Sequence, residues 1–219
     1  MDRQAGRWRV RLGEDAGDAL RLRSAAFRGG GCDRDAFDAE AHHLTVAGAE
    51  GVVACARLTV QHDATAGYTG QFYDLGAFAK AFPRALEVGR VALAPSLNDP
   101  DVPRLLLAAM AQVVIAERIG ALYGCSSFPS DGAGMARLRG REAPAAWRPR
   151  PTASETVALP DRPGPVPPLL RGWLALGAGV SDRAVIDRDL DTLHVFTALP
   201  VASIPPARAA ALTGLLDAA

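Results

Sequence analysis

Leu86-Glu87-Val88-Gly89-Arg90-Val91-Ala92-Leu93-Ala94-Pro95 is the stretch on which the reading of this chain turns. Its Val and Leu residues describe a short strand, and the proline stops it, having no N–H to give a ladder. Glu87 and Arg90 are out of place in such an element. A buried carboxylate needs a partner or a shifted pKa, and groups of that kind concentrate at functional sites. A polar loop follows, Ser96-Leu97-Asn98-Asp99-Pro100-Asp101, and then a helical pattern over 102–118. Leu105, Leu106, Ala109, Val113, Ala116 and Ile119 give that helix an apolar face. Strand, loop and helix in this order is how α/β folds offer a helix N-terminus to a phosphate or a pantetheine arm.

Working upstream, residues 7–12 alternate polar and apolar as a half-buried strand does. Residues 15–27 follow with helical spacing, and Arg23 and Phe27, four apart, share a face. Gly29-Gly30-Gly31 ends that helix and reads as a flexible linker; no strand precedes it and no GK[ST] follows. Asp35 and Asp38 flank Phe37. Residues 42–47 and 52–60 form a hairpin around Gly48-Ala49-Glu50-Gly51. Arg57 is a charge inside the second strand, and the reading is open between an outward-facing edge position and a functional one. Residues 61–83 are rich in loop glycines and carry Tyr68, Phe72, Tyr73, Phe78 and Phe82. They are either a lid or lipid-facing wall, or core packed under a long loop.

Downstream, residues 122–128 are a short buried strand closed by Pro129. The order to this point is βα, hairpin, βαβ, an α/β domain with a mixed sheet. Residues 137–151 are basic and proline-rich, and 160–168 hold five prolines and exclude regular structure. A short helix over 169–176, late strands over 178–185 and 193–199, and a closing helix over 207–216 complete the pattern.

Composition narrows the function classes. The 219 residues suit one domain, and 49% hydrophobic content supplies a core. Lys and Arg balance Asp and Glu at 24 each, so no broad positive field for nucleic acid exists. Cys32, Cys55 and Cys125 are far apart and odd in number, which argues against a disulfide framework or a zinc site. His42-His43 would point to opposite faces of a strand and so do not share a metal readily. No apolar signal core or membrane-length apolar run is evident, and a cytoplasmic protein is the expectation.

With these residues laid out, the chain resembles the ornithine acyl-ACP N-acyltransferases. These make lyso-ornithine lipid on a GNAT-type fold and are relatives of the acyl-homoserine-lactone synthases. The likeness is carried in order by Asp35-Ala36-Phe37-Asp38, His43-Leu44, Arg57-Leu58, Phe72-Tyr73, Leu86 to Arg90, and Gly124-Cys125-Ser126-Ser127-Phe128. Pro168 to Ala178 and Asp187 to Thr192 before Val195-Phe196 continue it. It spans roughly residues 20–200. Arg23, Phe27, Asp35, Asp38, Arg57, Glu87 and Arg90 fit, one by one, the pattern of charged and aromatic residues in the lactone synthases. The departure is the loop after the central strand, where the family has an Arg-rich turn. Here it is Asn98-Asp99-Pro100-Asp101, with Arg104 the one basic residue nearby.

The resemblance implies an α/β (α+β) GNAT-like fold with a mixed central sheet flanked by helices. It implies a single N-acyltransferase domain over 1–219, with a core at about 7–130 and a family-specific part at about 131–219. The implied reaction moves a (3-hydroxy)fatty acyl group from acyl carrier protein to the α-amine of ornithine. No cofactor is needed beyond acyl carrier protein as co-substrate. Glu87 is then the candidate general base, tuned by burial and by Arg90. Arg23, Arg57 and Arg90 are candidates for the amino acid carboxylate, with Phe27 beside them, and Asp35 and Asp38 hold the δ-ammonium or lock the arginines. Val91 or Ala92 supplies a backbone N–H for the thioester oxygen, and Arg104, Ser126 and Ser127 lie along the carrier arm or the substrate. Cys125, without a histidine partner in sequence, is a weak candidate for a covalent relay. Transient membrane-surface contact through Trp173 or the Phe72–Phe82 region is a further expectation. Acylation of glutamine, lactone synthesis from S-adenosylmethionine, and acyl binding without catalysis are the competing readings.

Overall fold

The computed structural model describes residues 1–95 and 97–216; Ser96, in the loop after the central strand, lies outside them. In chain order the strands and helices are β1 (Asp2–Ala5), β2 (Trp8–Gly13), α1 (Gly17–Arg28), β3 (His42–Gly48), β4 (Gly51–Gln61), β5 (Tyr73–Asp74) and α2 (Gly76–Ala81). Next come β6 (Ala85–Leu93), α3 (Asp101–Ala116), β7 (Ala121–Pro129), β8 (Arg150–Pro151) and β9 (Thr156–Ala158). Last are α4 (Pro168–Ala175), β10 (Gly179–Val180), β11 (Arg183–Asp187), β12 (Thr192–Pro200) and α5 (Pro206–Thr213). The chain divides into two compact units, one of residues 1–60, 88–118 and 205 onward, the other of 61–87 and 119–204.

In the first unit the strand order is β1-β2-β3-β4-β6. β1 and β2 form an antiparallel hairpin around Gly6, whose φ of 59° lies in the left-handed region that glycine enters without steric cost. β2 pairs antiparallel with β3 so that Val10 faces Val46 and Leu12 faces Leu44. Val10, Leu44 and Val46 are wholly buried, as period-two patterning requires. α3 lays Val102, Leu105, Leu106, Ala109 and Met110 into the core, and α5 packs on it, Gln112 Nε2 donating to Thr213 O at 3.4 Å. The glycine triplet after α1 is a helix stop rather than a linker. Gly29 and Gly30 have φ of 57° and 99°, and Gly30 N–H donates to Ser24 O at 2.9 Å, closing orphan carbonyls of the last turn.

In the second unit the order is β6-β7-β12-β11-β9, with β10 against β12. β6 and β7 are parallel over Ala85↔Ala121, Leu86↔Leu122 and Glu87↔Tyr123. β7 and β12 pair antiparallel along nine residues each, from Thr192↔Pro129 to Pro200↔Ala121. The unit's core is aromatic: Phe78 lies 5.1 Å from Tyr123 and 5.3 Å from Phe196, ring centre to ring centre, and 5.0 Å from Phe82. Burying a side chain such as Phe78 contributes about 1.5–3 kcal/mol. The 61–83 segment is thus core and not a lid, and the helix α2 inside it was not apparent from its glycines. Of the two expected membrane anchors, Trp173 is buried, while Phe72 and Phe82 are half-buried against the aromatic core. The exposed large apolar side chains among the described residues are Met1 and Ile115. No helix among them is long and apolar enough to cross a membrane. The late strand over 178–185 is two strands, β10 and β11. They are separated at Ser181, whose hydroxyl donates to Arg183 O and accepts from Phe196 N–H.

Candidate active site

In the first unit, three elements bring their charges to one buried point. α1 carries Arg23, β4 carries Arg57 and β6 carries Arg90, while the loop after α1 carries Asp33, Asp35 and Asp38. Arg23 donates through Nε to Asp33 Oδ2 at 2.8 Å, and through Nη1 to Asp38 Oδ1 at 2.6 Å. Its Nη2 reaches Asp33 O at 2.6 Å and Asp38 Oδ2 at 3.1 Å. Arg57 Nη1 donates to Asp35 Oδ1 at 2.5 Å and Asp38 Oδ1 at 3.2 Å. Arg90 lies 3.1 Å from Asp33 and 3.2 Å from Asp35. Arg28 Nε closes the rim on Asp33 Oδ1 at 3.1 Å.

Local geometry makes this possible. The one-turn helix Ala36–Asp38 is closed by a capping box, Asp35 accepting from Phe37 N–H and Asp38 from Asp35 N–H, each at 2.9 Å. That turn aims both carboxylates the same way. Arg90 has φ of 50°, left-handed and uncommon for a side-chain-bearing residue in a strand. Such strain persists where the surroundings fix it, and here two aspartates do. The aromatic residues flank the cluster, Arg57 lying over Phe37 at 5.7 Å and Arg90 over Phe27 at 6.0 Å.

Arg57 is 3% exposed, so it is not an outward-facing edge residue. Arg23 is 1% exposed with its donors given to Asp33 and Asp38, so it is not presented to an amino acid carboxylate. Asp35 and Asp38 lock the arginines. Burial alone would raise the Asp38 pKa, but the hydrogen bond from Arg23, the Asp35 N–H and the charges of Arg23 and Arg57 hold it down to about 2. His43, opposite Arg57 in the β3–β4 register, is kept below its ordinary value by burial and stays neutral beside the guanidinium groups. Asp33 was not among the residues singled out from sequence. The three aspartates at 33, 35 and 38 were the available signal.

The second unit holds Glu87, the last residue of the β6–β7 ladder, 6% exposed. Its two oxygens are held by backbone. Tyr68 N–H donates to Oε2 at 3.0 Å and Thr69 N–H to Oε1 at 2.7 Å. These donors open the single 3-10 turn Tyr68–Gln71, where N–H groups have no partner within the turn. Thr69 Oγ1 in turn accepts from the Cys125 thiol at 3.8 Å. Burial, and then the negative charge of Glu87, push the Tyr123 phenol well above its ordinary value, so it stays protonated and donates to Ala64 O.

The remaining expected residues are more scattered. Ser126 is half-buried and its hydroxyl accepts from Thr197 Oγ1 at 2.9 Å; Ser127 is exposed. Val91 is half-buried and Ala92 buried on β6 beyond Arg90. Arg104 is exposed and pairs with Asp101 at 3.2 Å in the first turn of α3. Asp99 in the preceding loop is already met by Arg7 at 2.6 Å and by Trp8 Nε1 at 3.3 Å, a pairing the sequence did not suggest. Burial pushes the Cys55 thiol up to about 11, which leaves it unreactive.

The acetyltransferase (GNAT) domain family matches residues 19–108. L-ornithine N(alpha)-acyltransferase of Rhizobium meliloti (strain 1021) is 30% identical over 205 residues, covering 78% of this chain and 68% of that protein. The protein of the same name from Agrobacterium fabrum is 28% identical over 207 residues, with the same coverage of 78% and 68%. Among solved structures, FeeM, an N-acyl amino acid synthase from uncultured soil microbes, aligns with a TM-score of 0.54 at 12% identity, over 88% of this chain and 95% of that one. The AHL synthase LasI aligns with a TM-score of 0.52 at 14% identity, over 88% and 89%. The two structures attest the shared GNAT-like fold, and the sequence relatives attest the closer kinship: the chain belongs to the L-ornithine N(alpha)-acyltransferase family.

Proposed function

We propose that this chain transfers a (3-hydroxy)fatty acyl group from acyl carrier protein to the α-amine of ornithine, giving a lyso-ornithine lipid. The α-amine of a free amino acid is mostly protonated at neutral pH and must lose that proton to attack. Glu87 accepts it, directly or through one water. The nitrogen then adds to the thioester carbonyl carbon, and negative charge develops on the carbonyl oxygen. Collapse breaks the C–S bond; the carrier's thiolate leaves and takes up the second proton, the one the nitrogen gives up as it becomes the amide.

The observation that carries this reading is the anchoring of Glu87. Each carboxylate oxygen accepts one backbone N–H, which fixes its orientation and leaves further lone pairs for a proton. A base held this way supplies about 10²–10⁴-fold. In the first unit, Arg23, Arg57 and Arg90 position the 33–38 loop. Asp35 is the least buried of the three aspartates, its side chain 24% exposed, against 0% for Asp33 and 1% for Asp38. Action in the cytoplasm, against the inner membrane surface, follows from the amphiphilic product.

The test is an assay of the purified chain with acyl carrier protein thioesters and a panel of acceptors, read by mass spectrometry. N-acyl ornithine is expected. N-acyl glutamine would move the acceptor, a homoserine lactone formed with S-adenosylmethionine would move the class, and no N-acyl product with any acceptor would end the enzyme reading.

A further inference from the structure

Gly67 precedes the two residues whose N–H groups hold Glu87. Its backbone, at φ −76° and ψ 175°, is extended and open to any residue, so conformation does not require glycine there. Space does. A Cβ at this position would stand 2.4 Å from Glu87 Oε2 and 2.9 Å from its Cδ. Gly70 is a different case, since its Cβ would run 2.2 Å from the backbone oxygen of Thr65. Gly70 is demanded by the fold and Gly67 by the carboxylate.

The wall on which Glu87 rests is pinned. Gly67 N–H donates to Ala64 O and Gly67 O accepts from Gly70 N–H. Asp63 caps the preceding turn through Thr65 N–H at 2.9 Å. Thr69 is fully buried, and Tyr68 lies against Phe72 at 5.3 Å between ring centres. A side chain at position 67 therefore displaces the free end of Glu87 rather than the backbone. We infer that Gly67 is a positioning residue of the transfer reaction: its missing side chain is what lets Glu87 lie on the Tyr68 and Thr69 N–H groups. This rests on Glu87 being the base.

The experiment is a double-mutant cycle on the full chain with Gly67→Ala and Glu87→Ala, reading kcat, KM for the acyl carrier thioester, and the thermal midpoint. Gly67→Ala is expected to lower kcat about 10–100-fold, the scale of an ångström-sized misplacement of a reacting group. KM and the midpoint stay near wild type. In the Glu87→Ala background the same change adds less than about 2-fold, because coupled residues are not additive. Gly120→Ala, whose Cβ meets nothing nearer than 3.5 Å, serves as the silent control. Wild-type kcat in Gly67→Ala, or a loss that multiplies independently onto Glu87→Ala, overturns the inference while leaving the base assignment standing. Unchanged turnover in Glu87→Ala overturns the base assignment and the inference with it. If Gly67→Ala does not fold, Glu87→Asp, one methylene shorter, is expected to restore folding in the double variant; failure to do so also overturns it.

Discussion

The Arg23–Arg57–Arg90 cluster and Glu87 both bury formal charge, and they satisfy it in different ways. In the cluster, three guanidinium groups face three carboxylates, and side chain answers side chain. At Glu87 the partners are two backbone N–H groups. A closed side-chain network has little left to offer a substrate, and removing one member strands the others. A carboxylate seated on backbone donors keeps lone pairs available and can be altered without stranding a charge. Under the proposed function, the first region's charges brace the fold and the second region supplies the base.

The strongest way to break that contrast is Arg23→Ala. Asp33 and Asp38 would each lose a buried cation, and breaking a buried pair costs about 3–5 kcal/mol. Urea unfolding of the full chain measures this. A cost below about 1 kcal/mol would mean that the cluster does not brace the fold and is open for another role.

A second prediction concerns charge that the second unit excludes. Burial holds His194 down to about 4, although the Asp187 charge favours its protonated form. Below its ordinary value of 6.5 the unfolded chain binds a proton there that the folded chain does not. Stability is therefore fully present above pH 6.5 and falls as pH drops toward 4, by about 3 kcal/mol at full extent. His194→Phe is expected to flatten unfolding free energy across that window. Asp38 acts lower: its value is depressed, so its contribution is present above about pH 4 and is lost as pH falls through 2. A slope that persists between pH 6.5 and 4 in His194→Phe would place the acid sensitivity elsewhere.

The smallest effect belongs to Arg104→Gln. Arg104 and Asp101 are an exposed pair three residues apart, and such pairs contribute about 0–1 kcal/mol. The unfolding midpoint is expected to stay put, and KM for acyl carrier protein to change less than about 3-fold, the size of a weak contact. A tenfold rise in KM would make Arg104 a ligand for the carrier's phosphate.

Much of this was visible in the residues. Arg57, Glu87 and Arg90 stood out because charge is costly inside an apolar strand pattern, and the longer strands, the hairpin and α3 announce themselves by periodicity, whereas β1, β5, β8 and β9, two to four residues each, are too short to show one. Asp33 did not stand out, because an aspartate in a glycine-flanked loop looks solvated until Arg23 and Arg90 are folded over it. Residues 61–83 resisted reading for a physical reason: α2 is only six residues long, too short to show a period, and glycines at 67, 70 and 76 look like loop. The left-handed Arg90 and the contact between Gly67 and Glu87 are tertiary facts. No local pattern encodes them.

The account's central claim meets its most direct test in Glu87→Gln, with turnover of acyl carrier thioester and ornithine measured beside the unfolding midpoint. The account expects turnover to fall about 10²–10⁴-fold, the contribution of a positioned base, and stability to fall by only about 1–3 kcal/mol, because the amide NH2 leaves one of the two backbone N–H groups without an acceptor. Wild-type turnover in that variant would contradict it.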